Sequence, residues 1–183
     1  MNIYALIMKL AGWKVEVKAP NPDKCLILVA PHTSNWDLII GKLAYKSAGR
    51  NASFLMKDTW FFFPMGWIFR KMGGIPVPRK RKGPSVVESV VKKFGEMDKL
   101  QLAITPEGTR SRTDQWRTGF IHISIQAHVP CLLAVIDYER KLAMVNDVFI
   151  PTGNVDEDIR SIKEYYKPYK GKYPEKFSTD VTI

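Results

Sequence analysis

The chain has 183 residues, of which 45% are apolar and 25% are charged; this is the composition of an ordinary globular protein, and its length fits a single domain over 1–183. It excludes a disordered tail protein, a collagen-like rod and a small disulfide framework. The 28 basic and 18 acidic residues leave a net charge of +10. This charge favours an anionic partner, which is nucleic acid, a phosphorylated substrate or an anionic membrane surface.

Short apolar runs and segments of helical spacing alternate along the chain. The first 15 residues are apolar almost all round and predict a helix of about 12 residues, too short for a hydrocarbon core of about 30 Å. We expect this helix to pack on the domain rather than to lie in a membrane surface. Strands are predicted over 26–30, 52–56, 75–77, 100–105, 131–137 and 143–150. Helices are predicted over 35–48, 64–72, 84–97, 120–128 and 156–166.

This alternation predicts an α/β fold with a mostly parallel central sheet flanked by helices. A basic Lys/Tyr-rich tail follows over 160–183. In such folds, ligands bind outside the carboxyl ends of the strands. Two segments of this chain place polar and reactive residues there.

The first segment, residues 31–37, follows the apolar strand LILVA and opens a helix. It supplies His32 and Asp37, and a tight turn can bring the carboxylate of Asp37 back to one ring nitrogen of His32. Such a contact fixes the tautomer and raises the basicity of the other nitrogen, as a general base requires. The alternative is a helix cap in which Ser34 is the N-cap residue and Asp37 is the third residue of the helix.

The second segment, residues 105–111, follows the strand LQLAI. It concentrates Glu107, Gly108, Thr109 and Arg110 at the strand end. Glycine permits a close backbone approach, and arginine offers a planar fork that matches phosphate. The alternative is a polar turn with a solvated Glu–Arg pair.

Together, the HxxxxD spacing of His32 and Asp37 and the sequence PEGTRS at 106–111 resemble the glycerolipid acyltransferase family, which includes the 1-acylglycerol-3-phosphate acyltransferases. Two weaker blocks agree with it, GIPVPR at 74–79 and Val129-Pro130 followed by CLLAVI. The resemblance covers about residues 25–136 and implies the fold of the glycerol-3-phosphate acyltransferases. Three positions depart from the family pattern: this chain has Pro31 where the family usually has Asn, Thr105 where it has Phe, and Pro78 where it has an acidic residue.

The resemblance implies direct transfer of a fatty acyl group from acyl-CoA or acyl carrier protein to a hydroxyl of a lysophospholipid or related glycerolipid. His32 is then the general base and Asp37 orients it. The substrate-binding residues would be Arg79, Glu107, Gly108, Thr109 and Arg110, with the two arginines facing the acceptor phosphate. This chemistry needs no cofactor and no metal, and we expect His122 and His128 to be structural or surface residues.

The stretch from Thr59 to Val87 contains no acidic residue. Aromatic and cationic residues occur together there, which suits a membrane interface. The residues expected at that surface are Trp60, Phe61, Phe62, Trp67, Arg70 and Lys71. The alternatives are nucleic-acid binding, which we consider less favoured, and a core helix with a solvated basic loop. We expect a cytoplasmic protein that is peripheral on the inner face of the membrane.

Two other functions are compatible with the sequence. A basic non-enzymatic module would bind nucleic acid or an anionic membrane, and an acyl thioester hydrolase would use the His–Asp pair to activate water. The sequence leaves open the acceptor, the acyl-chain length, the choice between CoA and carrier protein, and the oligomeric state.

Overall fold

Seven strands form one sheet within residues 2–77 and 85–180, the parts of the chain that the computed structural model describes. The strands are β1 (Lys14–Val17), β2 (Lys24–Ala30), β3 (Ser53–Lys57), β4 (Gly74–Val77), β5 (Leu100–Ile104), β6 (Cys131–Asp137) and β7 (Leu142–Phe149). They lie in the order β1-β7-β6-β2-β5-β3-β4. All neighbours are parallel except β6 and β7, which are antiparallel. The predicted α/β fold with a mostly parallel sheet is confirmed.

The described part of the chain contains six α-helices, which flank this sheet. They are α1 (Ile3–Leu10), α2 (Trp36–Ser47), α3 (Met65–Lys71), α4 (Val86–Glu96), α5 (Gly119–Ala127) and α6 (Val155–Tyr166). Side chains of α4, α5 and α6 fill the larger apolar core on one face, and α2 covers the other face, with α1 packed on it. The helices and strands predicted from the sequence agree with these to within a few residues at each end.

Strand β2 is buried on both faces because its alternate side chains enter two different cores. Leu26 and Leu28 point into the core beneath α4, α5 and α6, whereas Cys25 and Ile27 pack with Tyr45 of α2. A strand buried on both faces has an unbroken apolar sequence, as CLILVA at residues 25–30 shows. Because β2 is the central strand, the loop that follows it lies in the middle of the carboxyl edge of the sheet.

The sequence does not predict strand β1. Its four residues, KVEV, include two charged side chains and follow the apolar helix α1 after three residues. The strand forms by parallel pairing with β7, where Lys14 lies opposite Leu142. This pairing joins segments that are far apart in the sequence, so no local pattern indicates it.

Helix α1 is shorter than the 12-residue helix that the sequence predicts, and it packs on α2. Met8 is buried with Ala44, while Ile3 and Leu10 are 60% and 79% exposed. The helix therefore has an inner face buried against the domain and an outer apolar face in solvent.

The Lys/Tyr-rich tail is helical at first and then packs on the domain. Residues 160–166 belong to α6, and Tyr166 is fully buried and donates its hydroxyl to the carbonyl of Leu28 at 2.7 Å. Trp116 donates its indole N–H to the carbonyl of Ser178 at 3.0 Å. Residues beyond α6 are thus held against the same core as the sheet.

Candidate active site

The loop between β2 and α2 brings His32 and Asp37 into contact. Nδ1 of His32 lies 3.1 Å from Oδ2 of Asp37, and the same oxygen accepts the backbone N–H groups of Thr33 and Ser34, each at 2.8 Å. Asp37 is in the first turn of α2, so the helix dipole also favours its negative charge. The Asp37 carboxylate is buried, while the His32 ring is 21% exposed. The pair therefore has an anionic inner end and an accessible imidazole.

The dyad contact is present, whereas the predicted cap is only partly formed, because α2 begins at Trp36 and Asp37 is its second residue. Ser34 accepts the N–H of Trp36 at 3.2 Å, and Asp37 reaches back to the N–H of Ser34, which is half of a reciprocal capping arrangement. The residue at the N-cap position is Asn35, whose side chain makes no capping hydrogen bond. One carboxylate thus satisfies the loop backbone and orients the histidine.

Tyr138 is a further member of the site that the sequence analysis does not identify. Its hydroxyl donates to Oδ1 of Asp37 at 2.7 Å. Tyr138 directly follows β6, which is the neighbour of β2, so its place after a buried strand is the signal that points to it. Burial by itself would raise the pKa of Asp37, but the hydrogen bonds from His32, Ser34 and Tyr138 hold that pKa below its ordinary value. Asp37 is therefore an anion at neutral pH.

Glu107 connects the second polar segment to the first. Its Oε1 accepts the backbone N–H of His32 at 2.6 Å, and the residue is only 2% exposed. Burial raises the pKa of Glu107 to about 8, the His32 N–H opposes the rise, and the negative charge of Asp37 adds to it. The carboxyl group of Glu107 is therefore mainly neutral at pH 7.

The raised pKa of Glu107 predicts a loss of stability with rising pH. The folded state holds this proton up to about pH 8, whereas the ordinary pKa of a glutamate is 4.5. The free energy of unfolding should therefore decrease as the pH rises from 4.5 to about 8, by at most about 1.4 kcal/mol per pH unit. Glu107→Gln removes the titrating group and should flatten this slope.

Urea unfolding at pH 5, 6, 7 and 8 measures the effect. The matched control is Glu96→Gln, at a side chain that is 56% exposed, and this variant should keep the wild-type slope. An identical pH dependence for Glu107→Gln and the wild type would contradict the assignment.

Gly108 has a backbone conformation that favours glycine and little space for a side chain. Its φ is +66°, and a Cβ there would lie 2.7 Å from Cγ of Arg117. Arg117 also donates its backbone N–H to the carbonyl of Pro106 at 2.7 Å. Arg117 is a second arginine beside the turn, and the sequence analysis does not identify it.

Of the other predicted substrate-binding residues, Thr109 and Arg110 line the same cleft as His32. The Thr109 hydroxyl accepts the N–H of Ser111 at 3.1 Å, and Arg110 is exposed. Arg79 and Pro78 lie outside the described residues. The structure thus brings together His32, Asp37 and the PEGTR turn.

The cleft at this edge of the sheet has a volume of about 1800 Å³. Part of its wall lies between α2 and the sheet, and the side chains there are small or apolar. They include Ile27, Val29, Gly41, Ala44, Ala103, Ala134 and Ile136. A Cβ on Gly41 would be 3.4 Å from Cδ1 of Ile136, so the lack of a side chain at Gly41 contributes room for an elongated apolar group.

The predicted membrane-surface residues lie around α3. Trp60, Phe62 and Trp67 are 54%, 56% and 61% exposed, and the unpredicted neighbour Phe63 is 92% exposed. The aromatic surface is defined here as these four residues. No helix in residues 2–77 and 85–180 combines the length and apolar character needed to cross a membrane.

The remaining three predicted membrane-surface residues are placed differently. Phe61 is half-buried and packs edge-on against Phe69. The guanidinium of Arg70 lies over the Phe61 ring at 5.7 Å, and the ammonium of Lys71 lies over the Trp67 ring at 3.8 Å. Both cations are exposed. Phe61 thus supports the surface from beneath, while Arg70 and Lys71 border it.

The two other histidines are separate from the site. His122 is an exposed residue of α5, and His128 is the exposed C-cap of that helix with a φ of 52°. Across the described residues, no group of three or more His, Cys, Asp or Glu side chains is arranged to hold a metal ion.

A sequence model of the Acyltransferase family matches residues 14–137. This range contains His32, Asp37 and the PEGTR turn, and the chain therefore belongs to the acyltransferase family. Over 98 residues it is 30% identical to the 1-acyl-sn-glycerol-3-phosphate acyltransferase of Streptococcus pneumoniae (strain ATCC BAA-255 / R6). This alignment covers 53% of the chain and 36% of the relative, so the chain spans about a third of that protein's length.

Proposed function

We propose that the protein is an O-acyltransferase that moves a fatty acyl group from an acyl thioester to a hydroxyl of a lysophospholipid or related glycerolipid. The observation that carries the proposal is the His32–Asp37 pair, which is held by three further hydrogen bonds and lines a large, partly apolar cleft. Membership of the acyltransferase family and the name of the relative support this reaction class.

The geometry supports His32 as the general base. Because the carboxylate of Asp37 can only accept, Nδ1 of His32 carries the proton in their 3.1 Å contact, which leaves Nε2 with a free lone pair. In the proposed reaction, Nε2 takes the proton of the acceptor hydroxyl as that oxygen bonds to the thioester carbonyl carbon. The carbon–sulfur bond then breaks, and the leaving thiolate takes the proton from His32.

The acceptor is proposed to bind on the PEGTR side of His32. Arg110 supplies a guanidinium for a phosphate group, and Arg79 is proposed as a second one. The backbone N–H of Thr109 is proposed to stabilise the tetrahedral oxyanion, since the N–H of Gly108 already donates to the carbonyl of Thr105 at 3.0 Å. The burial of Glu107 and its bond to the His32 backbone favour a role in holding the loop over direct contact with the acceptor.

We propose that the acyl chain enters the apolar part of the cleft between α2 and the sheet. The small residues there leave space next to His32, which lines the same cleft. The acyl carbonyl would then lie near His32 while the hydrocarbon is removed from water. The donor is proposed to be acyl-CoA or acyl carrier protein, and no cofactor is proposed.

We also propose that the protein docks peripherally on the inner, cytoplasmic face of a membrane through the aromatic surface. The supporting facts are the exposure of its four residues, the neighbouring cations Arg70 and Lys71, and the net charge of +10. The negative potential of the cytoplasmic leaflet attracts such cations, and aromatic rings settle at headgroup depth. A lipid acceptor would be reached from that surface.

Replacing two members of the aromatic surface should weaken membrane binding. Phe63→Ser with Trp67→Ser removes two exposed rings, and each ring buried in the interface contributes about 1.5–3 kcal/mol. Co-sedimentation with vesicles of phosphatidylglycerol and phosphatidylcholine should therefore show at least tenfold weaker binding.

The control for this pair is Ile150→Ser. Ile150 is 64% exposed and directly follows β7. The last residue of β7 pairs with the first residue of β6. Ile150 therefore lies at the opposite edge of the sheet from His32. Wild-type affinity in the double variant would rule out the aromatic surface as the docking site.

Thiol release from acyl-CoA and from acyl carrier protein thioesters, followed with and without lysophosphatidate, tests the function. Acceptor-dependent release with formation of the diacyl product supports the transferase. Release without any acceptor identifies a thioester hydrolase instead. Salt-dependent binding of RNA with no thioester turnover would favour the binding module.

A further inference from the structure

A segment outside the range matched by the acyltransferase family lies directly on the loop that carries His32. We name residues 167–177 the C-terminal strap; it follows α6 and ends at the short 3₁₀ helix Pro174–Lys176 and Phe177. The family match ends at residue 137. The contacts of the strap are therefore a feature of this chain that the family motifs do not describe.

Two hydrogen bonds join the strap to residues that hold Asp37. The backbone N–H of Tyr173 donates to the hydroxyl oxygen of Thr33 at 3.2 Å, and Thr33 gives its own N–H to Asp37. The carbonyl of Lys170 accepts the N–H of Tyr138 at 2.9 Å, and Tyr138 gives its hydroxyl to Asp37. The strap thus fixes one hydrogen-bond donor on each oxygen of the Asp37 carboxylate.

Gly171 lets the strap approach this closely. A Cβ on Gly171 would lie 2.6 Å from Oγ1 and 2.8 Å from Cγ2 of Thr33, and 3.2 Å from Cβ of Pro31. Its φ lies outside the left-handed region, so the requirement for glycine at this position comes from space and not from backbone conformation. The residue is buried between its neighbours.

Other contacts anchor the strap on the same side of the site. Arg140 donates to the carbonyl of Pro168 at 3.1 Å and pairs with buried Asp137 at 2.6 Å. The ammonium of Lys172 lies over the ring of Trp36, at 5.5 Å from its centre. The strap is therefore attached to the end of β6 and to the start of α2, the two elements that present Tyr138 and Asp37.

We propose that the C-terminal strap, through Gly171, is a positioning element that sets the orientation of the His32–Asp37 pair. A shift of about 1 Å at such a pair can lower a rate by about a hundredfold. The kinetic part of this proposal rests on the proposed acyltransferase function. The structural part, the effect of the strap on the His32 ring, does not.

The test compares Gly171→Ala with Gly95→Ala. Gly95 is in α4, and a Cβ there would meet nothing within 4 Å, so it is a matched control. In Gly171→Ala, we expect kcat to fall at least tenfold with KM changed less than twofold, and the NMR signals of the His32 ring to shift. The chain has three histidines, so these signals can be assigned. Gly95→Ala should leave both readouts at wild-type values.

A second-site variant separates positioning from general damage. Thr33→Ala removes the two atoms that the new methyl group would strike, so adding Gly171→Ala to it should cost less than threefold in kcat. An equal cost of Gly171→Ala in the wild-type and Thr33→Ala backgrounds would overturn the proposal. Wild-type kcat and wild-type His32 signals in Gly171→Ala would also overturn it.

If Gly171→Ala does not fold, the pair Thr33→Val and Thr33→Ser decides the matter. Valine keeps the shape but removes the acceptor for the Tyr173 N–H, while serine keeps the acceptor. We expect valine to lower kcat and shift the His32 signals, and serine to preserve both. Equal behaviour of the two variants would refute the strap's role. If the wild type transfers no acyl group, the proposed function fails and the His32 signals alone decide on the strap.

Discussion

His32→Ala is expected to reduce acyl transfer by a factor of about 10²–10⁴, the usual contribution of a positioned general base. The loss should appear in kcat, because the variant removes the group that takes the proton of the acceptor hydroxyl. The fold should remain, since Asp37 still accepts the N–H groups of Thr33 and Ser34 and the hydroxyl of Tyr138. Initial rates of acceptor-dependent thiol release measure the effect, and thermal unfolding checks the fold.

The control for this prediction is His122→Ala. His122 is exposed on α5 and outside the cleft, so its removal should leave kcat unchanged. Full activity in the His32→Ala variant would eliminate the general-base role, whatever the acceptor is. A His32→Ala variant that still hydrolyses the thioester but no longer transfers the acyl group would show that His32 is needed to activate the acceptor and not to bind the thioester.

The parts of the fold that the sequence predicts are those that local pattern controls. The run LILVA predicts β2 because a strand buried on both faces must be apolar at every position. The spacing of His32 and Asp37 allows a contact between them because one short turn connects them, and it equally fits a helix cap. The glycine of the PEGTR turn is explained by its φ of +66°.

The parts that the sequence does not predict depend on contacts between distant segments. Tyr138 reaches Asp37 only because β6 pairs with β2 in a register that places Ala30 opposite Val135. Glu107 accepts a hydrogen bond from the backbone N–H of His32, which lies 75 residues away in the sequence. No motif spacing reveals this contact. In the sequence, nothing distinguishes Gly171 from an ordinary loop glycine, and only the packed structure shows the side chain of Thr33 against it.

Asp37→Asn is expected to give the second large effect, a loss of about 10²–10⁴ in kcat with a smaller loss of stability. The amide oxygen can still accept from Thr33 and Ser34, and the amide N–H₂ can donate to Tyr138 once its hydroxyl turns round. The fold therefore keeps its hydrogen bonds, and neutral bonds in place of charged ones cost about 1–3 kcal/mol. The negative charge that stabilises the His32 imidazolium is gone, so catalysis suffers most.

Asp37→Ala and Tyr138→Phe complete this series. Alanine leaves two backbone N–H groups and the Tyr138 hydroxyl buried without an acceptor, so we expect it to unfold at much lower urea than Asp37→Asn. Tyr138→Phe removes one donor that lowers the pKa of Asp37, so this pKa should rise and acid unfolding should begin at a higher pH, while kcat at neutral pH falls only a few-fold. Rates from pH 4 to pH 9 and urea unfolding of all three variants test this order. An Asp37→Asn variant with wild-type kcat would show that the charge of Asp37 has no part in the reaction, and that the carboxylate serves only to hold the loop between β2 and α2.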